Sequence, residues 1–292
     1  MSVASTQRSL PEPLCDEPFT RLRRGIYDAD EIEVYLNDKR DFAFLHPRPE
    51  VDYRAYRPRV EALGLRSYKR ARPVIERRFE KIRDVFRGIR SVLEIGAADG
   101  EFLAHVASIH PDLELASLEV DQNTRSARDA LAGLAQFPSF DAIRQAGARF
   151  DRVCMFHVLE HIRDPAPFLA RCTEALTPEG RLVIEVPSLS DPLLSVYHSA
   201  PYEQFYFQRQ HPYVYSAGSL VRLLEACGLR PEAPIAHQRY GLENHLQWLA
   251  AGQPGGSAEL RALFADADAS YLRCLEESGH TDAVIVVVGV LP

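Results

Sequence analysis

The stretch Ser91–Leu103, SVLEIGAADGEFL, decides the fold that the sequence predicts. Its first residues are apolar and fit a buried strand, a turn marked by Gly96 and Gly100 follows, and a helix begins after the turn. In an open α/β sheet, ligands bind in the crevice beyond the carboxyl ends of the strands, where small residues let the backbone approach the ligand. The stretch therefore predicts a small-molecule site at this turn.

The same turn indicates which ligands do not fit. A dinucleotide-binding turn has three glycines in the pattern G-x-G-x-x-G, but Ala98 stands where the second glycine belongs, and no Lys-Ser/Thr pair follows to form a P-loop. Glu94 in the strand and Asp99 in the turn would repel a polyphosphate, since like charges close together cost energy. Both suit a cationic or zwitterionic ligand. An ordinary strand, turn and helix of an unrelated α/β protein is the alternative.

The pattern V-L-E-I-G-x-x-x-G at Val92–Gly100 resembles motif I of class I methyltransferases that depend on S-adenosylmethionine (SAM). The resemblance implies an α/β fold with a Rossmann-like, seven-stranded, mainly parallel sheet whose last strand is antiparallel. It also implies SAM as the cofactor, a molecule that carries an ammonium, a carboxylate, a sulfonium and a ribose. The cofactor contacts that it implies in this stretch are Glu94, Gly96, Ala97, Asp99 and Gly100.

A second acidic position ends the apolar run Leu113–Val120, LELASLEV. An acidic side chain about 20 residues beyond the glycine turn is placed to accept hydrogen bonds from both ribose hydroxyls. We assign this role to Glu119, with Val120 beside it at the cofactor. Asp121 is expected to be the N-cap of the next helix, a common use of aspartate.

A third segment, Phe150–His161 (FDRVCMFHVLEH), is similar to the methyltransferase segment that follows the fourth strand. In that family these residues lie over the adenine and the methionine of the cofactor, which implies contacts from Phe156 and His157. Ser139 and Phe140, after a short third strand, are expected to flank the adenine. The alternative for the two histidines of the segment is that they satisfy backbone groups at a strand–helix corner.

The composition fits a soluble intracellular enzyme. The 292 residues contain no run of about 18 apolar residues, the length of a membrane span, and residues 1–18 contain no apolar core of a secretory signal. We therefore expect a cytoplasmic protein, whose oligomeric state the sequence does not indicate. The five cysteines lack C-x-x-C spacing, which predicts reduced thiols and no metal site: Cys15, Cys154, Cys172, Cys227 and Cys274.

Positive charge is concentrated between Arg54 and Arg90, where 13 Lys/Arg and 4 Asp/Glu give +9 in a chain of net charge −7. Apolar residues at helical spacing from Val74 to Phe86 predict an amphipathic helix there. Two interpretations stay open, a solvated face of ordinary ion pairs or an electropositive wall for a phosphate-bearing small-molecule acceptor. Nucleic acid is an unlikely partner, because the pI is about 5.8 and no nucleic-acid-binding motif is present.

The chain divides into an N-terminal extension, residues 1–88, and a methyltransferase domain, residues 89–292. Residues 1–50 are polar and contain several prolines, which predicts irregular structure with one short helix at Asp30–Leu36. Residues 51–88 are predicted to be helical. Strands and helices then alternate, which predicts a mainly parallel sheet. Its later members are a third strand at Ala135–Phe137, a helix at Leu169–Leu176 and a fifth strand at Arg181–Val186.

An insertion of about residues 188–216 interrupts this pattern and is rich in aromatic residues. Loops of this length inside a domain usually bind ligands or are disordered, and the aromatic content argues against disorder. We interpret it as the acceptor-binding element, with Tyr206 and Tyr213 contacting the acceptor. Ser216 is expected to cap a helix over Ala217–Cys227.

Within the insertion, H-P-Y-V-Y-S at His211–Ser216 resembles the His-x-Tyr-x-x-Ser segment of bacterial sugar methyltransferases. The resemblance implies that His211 is the base that deprotonates the acceptor, a role an imidazole can fill near neutral pH. In those enzymes a glutamate commonly precedes this histidine, but here Gln210 does, and their N-terminal zinc-binding cysteines are missing. The departure argues against methylation of sugar carbon. A histidine packed in an aromatic loop is the alternative.

The segment Gln238–Leu249 and the glycines after it resemble methyltransferases of bacterial surface-polysaccharide gene clusters. Here the sequence predicts a sixth strand at His245–Leu249 and a helix at Ala258–Leu275. The β-branched run Thr281–Val290 predicts the last strand. The resemblance to class I methyltransferases implies that this strand is inserted antiparallel between the fifth and sixth. Asn244 and His245 are expected to face the acceptor.

Together these features predict methyl transfer from SAM to a small molecule. We expect O-methylation of a sugar or nucleotide-sugar in surface-polysaccharide synthesis, with His211 ahead of His157 as the base. The alternatives are N-methylation of a small amine, an RNA or protein methyltransferase, and a non-catalytic scaffold that binds the cofactor.

Overall fold

The computed structural model describes residues 2–8, 10, 14–49 and 72–290. Short 3-10 turns lie at Arg83–Phe86, Gln122–Thr124 and Leu159–His161. In chain order the helices and strands are α1 (Val3–Arg8), β1 (Phe19–Ile26), β2 (Ala29–Asn37), β3 (Phe42–His46), α2 (Arg72–Ile82), β4 (Ser91–Ile95), α3 (Glu101–Ile109), β5 (Glu114–Leu118), α4 (Arg125–Asp129), β6 (Ala135–Phe137), α5 (Phe140–Gln145), β7 (Phe150–Phe156), α6 (Pro165–Glu174), β8 (Leu176–Pro187), α7 (Pro192–Ser195), α8 (Ala200–Tyr206), β9 (Tyr213–Tyr215), α9 (Ala217–Ala226), β10 (Leu229–Pro231), β11 (Ile235–His237), α10 (Leu242–Ala251), α11 (Ala258–Leu263), α12 (Ala265–Ser278) and β12 (Ala283–Val290).

Of the two sheets formed by the described residues, the larger has the strand order β10-β12-β8-β7-β4-β5-β6, with β11 also paired to β12. The five strands from β8 to β6 are parallel, and β12 is antiparallel to β8. All five residues of β4 are buried, as expected of a parallel sheet covered on both faces. The predicted mainly parallel sheet with an antiparallel last strand is confirmed. Because β10 and β11 share one edge, the sheet has eight strands where seven were expected.

The N-terminal extension forms strands, so the prediction of irregular structure with a helix at Asp30–Leu36 is wrong. β1, β2, β3 and β9 make an antiparallel sheet in that order. Every second residue of β2 is buried (Ile32, Val34 and Leu36), and this period of two belongs to a strand with one face on the core. The alternation was present in the sequence, and the surrounding charges concealed it.

The amphipathic helix predicted in the basic segment is confirmed at α2. It buries Val74, Ile75, Phe79 and Ile82 on one face. Arg54, with which the basic segment starts, lies outside the described residues, as does the rest of the segment up to residue 71. None of the helices in the described ranges combines the length and the apolar character that a membrane span requires.

The predicted sixth strand at His245–Leu249 is wrong, because these residues lie in helix α10. The helix buries Asn244, His245 and Trp248 on one face, three and four residues apart. It ends at Gly252, whose φ of +65° suits glycine. The predicted helix beyond it divides into α11 and α12 at Phe264.

The insertion at residues 188–216 connects the two sheets and contains the short helices α7 and α8 besides β9. Tyr215 at the end of β9 forms a parallel bridge with Ser188, just after β8, while β9 itself pairs with β3. The predicted helix after it is confirmed as α9. Ser216 caps it by accepting a hydrogen bond from the backbone N–H of Ser219, whose hydroxyl in turn accepts from that of Ser216.

Candidate active site

A cavity of about 1340 Å³ opens at the carboxyl ends of β4, β5, β7 and β8. Open α/β sheets bind their ligands at this edge. We call the lining residues from Glu94 to Phe156 the cofactor half of the cavity. The acceptor half is lined by α8, α10, Glu160, His161 and His211.

The turn after β4 has a backbone conformation that suits glycine. Gly96 has a φ of +71°, and a Cβ added there would lie 2.6 Å from Cγ2 of Val158. Its N–H donates to the carbonyl of Leu118 at 2.8 Å, which attaches the turn to the end of β5. Gly96 therefore lines the cavity with backbone atoms only, so a ligand can approach the chain closely.

The Glu119 carboxylate is held in place at the end of β5. Its Oε2 accepts from the N–H of Ala98 and its Oε1 from the N–H of Asp121, both at 2.8 Å. Each carboxylate oxygen can accept a further hydrogen bond. Glu119 is therefore a fixed acceptor in the cavity wall, as a pair of adjacent ribose hydroxyls requires.

Glu94 is a buried carboxyl in the floor of the cofactor half. Burial, opposed by Arg78 and assisted by Glu119 and Glu101, raises its pKa to about 8. Its Oε2 is buried and makes no hydrogen bond with the described residues. A buried acid with an unsatisfied oxygen fits a ligand that carries an ammonium group. This observation, together with Glu119, matches the residues to the chemistry of SAM.

Aromatic rings line other parts of the cofactor half. Ser139 caps α5 by accepting from the N–H of Ala142 at 3.3 Å, and Phe140 follows it in the cavity wall. The Phe156 ring lies 4.5 Å from the Phe102 ring, with the Arg78 guanidinium 4.6 Å above it. Flat apolar walls of this kind suit a purine base.

A buried ionic network supports the cavity wall behind His157. Arg78 donates to both oxygens of Glu185 at 2.7 and 2.9 Å. His157 Nε2 lies 2.7 Å from Glu185 Oε1 and 2.6 Å from Nη1 of Arg239. Burial would raise the pKa of Glu185, but Arg78 and His237 hold it well below its ordinary value. The network keeps Glu185 ionised inside the sheet.

Aromatic side chains form much of the acceptor half. Trp248 of α10 lies 4.9 Å, between ring centroids, from both Tyr202 and Phe205 of α8. The Tyr206 hydroxyl donates to the carbonyl of Ser188 at 2.7 Å. Tyr202 donates to Asp191 at 2.5 Å, and burial with a contribution from Asp282 raises the pKa of Asp191 to about 7. These contacts fix an apolar surface with few mobile groups.

One carboxylate and two imidazoles meet where the two halves join. Glu160 is buried, and burial alone would raise its pKa, but His157, His161 and His211 lower it to about 2. The His161 and His211 rings have centroids 4.8 Å apart. Both histidines line the cavity, so an acceptor there can reach them.

Comparisons with known proteins show the family of the chain. Residues 53–233 match a family model described as a methyltransferase domain, which is more than half of the chain. The chain belongs to this methyltransferase family. No curated protein matches the sequence. The predicted enzyme class, a methyltransferase, is therefore confirmed.

Solved structures of other methyltransferases share the fold. The plantazolicin methyltransferase BpumL, in complex with a triazolic desmethylPZN analog and SAH, aligns with a TM-score of 0.54 at 12% identity over 82% of this chain and 93% of that chain. A SAM-dependent methyltransferase from Archaeoglobus fulgidus aligns with a TM-score of 0.51 at 19% identity over 82% of this chain and 100% of that chain. The mitomycin 7-O-methyltransferase MmcR aligns with a TM-score of 0.50 at 18% identity over 82% of this chain and 58% of that chain. Identities this low show likeness of fold alone.

In the methyltransferase, most of the residues predicted for the site line the cavity. They are Glu94, Gly96, Ala97, Glu119, Val120, Ser139, Phe140, Phe156, His157, Tyr206, His211 and Asn244. Asp99, Gly100, Tyr213 and His245 are not among its lining residues. The Tyr213 hydroxyl donates to the carbonyl of Arg163 at 2.8 Å, and the His245 ring contacts the Tyr271 hydroxyl. The last two therefore support the acceptor half from behind.

Sequence reasoning missed the network of Arg78, Glu185 and Arg239. Glu185 interrupts the apolar run RLVIEV of β8, and a charge in a buried strand requires a partner. That signal was available, but the partners come from positions 107 residues before it and 54 after it, at distances that no local pattern reveals. Within the basic segment, Arg78 lines the cavity, but its guanidinium donates to the buried Glu185.

Proposed function

We propose that the methyltransferase transfers a methyl group from SAM to an oxygen atom of a sugar or nucleotide-sugar. The observation that carries the proposal is the single cavity in which a cofactor half of fixed acidic groups joins an acceptor half of aromatic rings and histidines. SAM, when bound, supplies an electrophilic methyl group on a positively charged sulfur. The protein's task is then to align an acceptor with that methyl and to exclude water.

The cofactor half supports SAM through complementary charge and shape. Glu94 would balance the ammonium, and Glu119 would accept from the ribose hydroxyls. The rings of Phe140 and Phe156 would cover the adenine. Gly96 lets the backbone approach the cofactor. Glu119, Gly96 and Phe156 are held in place by their own contacts in the protein.

The acceptor half supports a ring-shaped acceptor with polar edges. Tyr202, Phe205 and Trp248 offer flat surfaces on which the C–H faces of a sugar can pack. His211 lies at the junction with the cofactor half and is the proposed base. His157 is less suited to that role, because its ring nitrogens already contact Glu160, Glu185 and Arg239.

N-methylation of a small amine is the second candidate, and the same aromatic residues favour it. Rings grouped around a pocket attract cations through their negative faces. The two candidates differ in the atom that reacts, and an acceptor panel separates them.

The test is methyl transfer from SAM with a deuterated methyl to parallel panels of nucleotide-sugars, free sugars and small amines, read by mass spectrometry. We expect the mass of one labelled methyl on a nucleotide-sugar or sugar. Labelling confined to the amines would overturn the O-methylation proposal in favour of the second candidate. Omission of the cofactor is the matched control.

A further inference from the structure

A potential metal-binding group lies at the junction of the two halves. One ligand atom each from Glu160, His161 and His211 can be chosen so that all three lie within 4.8 Å of one another. All three residues line the cavity. The absence of paired cysteines led the sequence prediction to no metal site, but histidine and carboxylate ligands need no such spacing.

Glu160 supplies two buried acceptor atoms to this group. The side chain is 2% exposed, and neither carboxylate oxygen makes a hydrogen bond with the described residues. The His157 ring faces the carboxylate, with its Nδ1 3.3 Å from Oε1. Buried charges are normally paired by hydrogen bonds or by a metal ion. A cation bound to these oxygens would satisfy them.

The His161 ring is oriented before any ion binds. His161 Nδ1 lies 2.9 Å from the carbonyl of Gln210, so it carries the proton and the lone pair is on Nε2. A backbone carbonyl in this position is the usual way in which a metal-binding histidine is oriented. The backbone of His211 is held by its N–H, which donates to the carbonyl of Gln208 at 2.9 Å, and by β9, which begins two residues later.

We propose that Glu160, His161 and His211 bind one divalent transition-metal ion, with its remaining coordination positions directed to acceptor oxygens. Two histidines and one carboxylate are a ligand set that holds zinc or iron with open positions. Bonds of about 2.0–2.2 Å at tetrahedral angles place ligand atoms about 3.3–3.6 Å apart, so the three side chains would have to move towards the ion on binding.

This inference rests on the proposed function and narrows its acceptor. An ion with open positions binds best to acceptors that offer two neighbouring oxygens, such as a vicinal diol or a hydroxycarboxylate. If an ion polarises the acceptor hydroxyl, His211 acts as a metal ligand and not as the base, since a nitrogen that binds metal cannot take a proton. Metal binding and general-base catalysis by His211 are therefore separable hypotheses.

The test is a titration of the full, untagged chain with Co²⁺ after treatment with a chelator, without SAM and without acceptor. Co²⁺ bound by nitrogen and oxygen ligands absorbs visible light, so binding is read directly. We expect one saturable site per chain. The affinity should fall by about tenfold or more in His211→Gln and in His161→Gln.

His105→Gln is the matched control, because His105 lies on α3 outside the cavity lining and should leave the titration unchanged. Circular dichroism and thermal unfolding check that every variant folds. Absence of a saturable site in the parent, or equal affinity in the parent and His211→Gln, would overturn the metal site. Since the titration uses neither SAM nor acceptor, that result would leave the proposed methyl transfer standing.

Discussion

The two halves of the cavity are built from the chain in different ways. The cofactor half comes from consecutive strand ends and the turns after them, so its groups lie in short continuous motifs such as VLEIGAADG at residues 92–100. The acceptor half combines α8, α10 and the 3-10 turn that ends at His161, which are far apart in the chain. The first is a local property of the sequence, and the second depends on how distant elements pack.

The network behind His157 joins the two halves, and its loss should have the largest effect. Arg78→Met leaves the fully buried Glu185 without its two strongest hydrogen bonds. Removing one partner of a buried ion pair costs about 3–5 kcal/mol of unfolding free energy. Urea denaturation measures this change. Arg83→Met, at a position whose side chain is 59% exposed, is the control and should change stability by less than about 1 kcal/mol.

A small loss of stability in Arg78→Met would mean that water or another cation compensates Glu185. The two halves would then be independent units. Because the network joins the two halves, we expect instead that cofactor affinity and acceptor turnover fall together in Arg78→Met.

Glu119→Gln tests the cofactor half alone and should have the second largest effect. The amide keeps the shape, but it loses the charge and one of the two acceptor atoms that hold the turn and the proposed ribose. Hydrogen bonds to charged groups contribute about 1.5–3 kcal/mol, so SAH affinity should fall by about 10- to 150-fold in calorimetry. Glu114→Gln, at an exposed position of the same strand, is the control. Equal affinities in the two variants would refute the ribose assignment.

The strands and turns that carry the cofactor half were predicted from the sequence because their information is local. The order of the strands, the glycine turn, Glu119 and the short strand β6 all follow from patterns a few residues long. The helix α10 was predicted as a strand because HLQWL also alternates, and only the contact of Trp248 with α8 distinguishes the two. The pairing of β9 with β3 joins residues about 170 apart, and no local pattern encodes it.

Phe205→Ala tests the acceptor half alone. The ring is half-buried against Trp248. Its removal takes away apolar contact area that contributes about 1–2 kcal/mol of binding free energy. The KM for the acceptor should rise about 5- to 30-fold, while SAH affinity stays unchanged. Gln204→Ala, at the exposed neighbouring position of α8, is the control. A parallel loss of SAH affinity would show that the two halves are not separable.

The smallest expected effect is a dependence of SAM affinity on pH that Glu94 causes. Burial raises the pKa of Glu94 to about 8 in the protein without ligand, so the group is mainly protonated at neutral pH. A bound ammonium favours the carboxylate and lowers that pKa. Binding should therefore release a proton, and affinity should increase as the pH rises towards 8, by less than about tenfold per pH unit.

Stability should respond in the opposite direction when no ligand is present. Between its ordinary pKa of 4.5 and about 8, Glu94 keeps its proton in the folded protein but loses it on unfolding. The unfolded chain binds fewer protons, so the free energy of unfolding decreases as the pH rises through this window. In Glu94→Gln both slopes should flatten, because no proton is exchanged there, and the titration of SAM itself remains as the background. If the dependence of SAM affinity and of unfolding free energy on pH were unchanged in the variant, the cationic end of the ligand would lie away from Glu94, in the acceptor half. The two halves of the cavity would then not bind cofactor and acceptor separately.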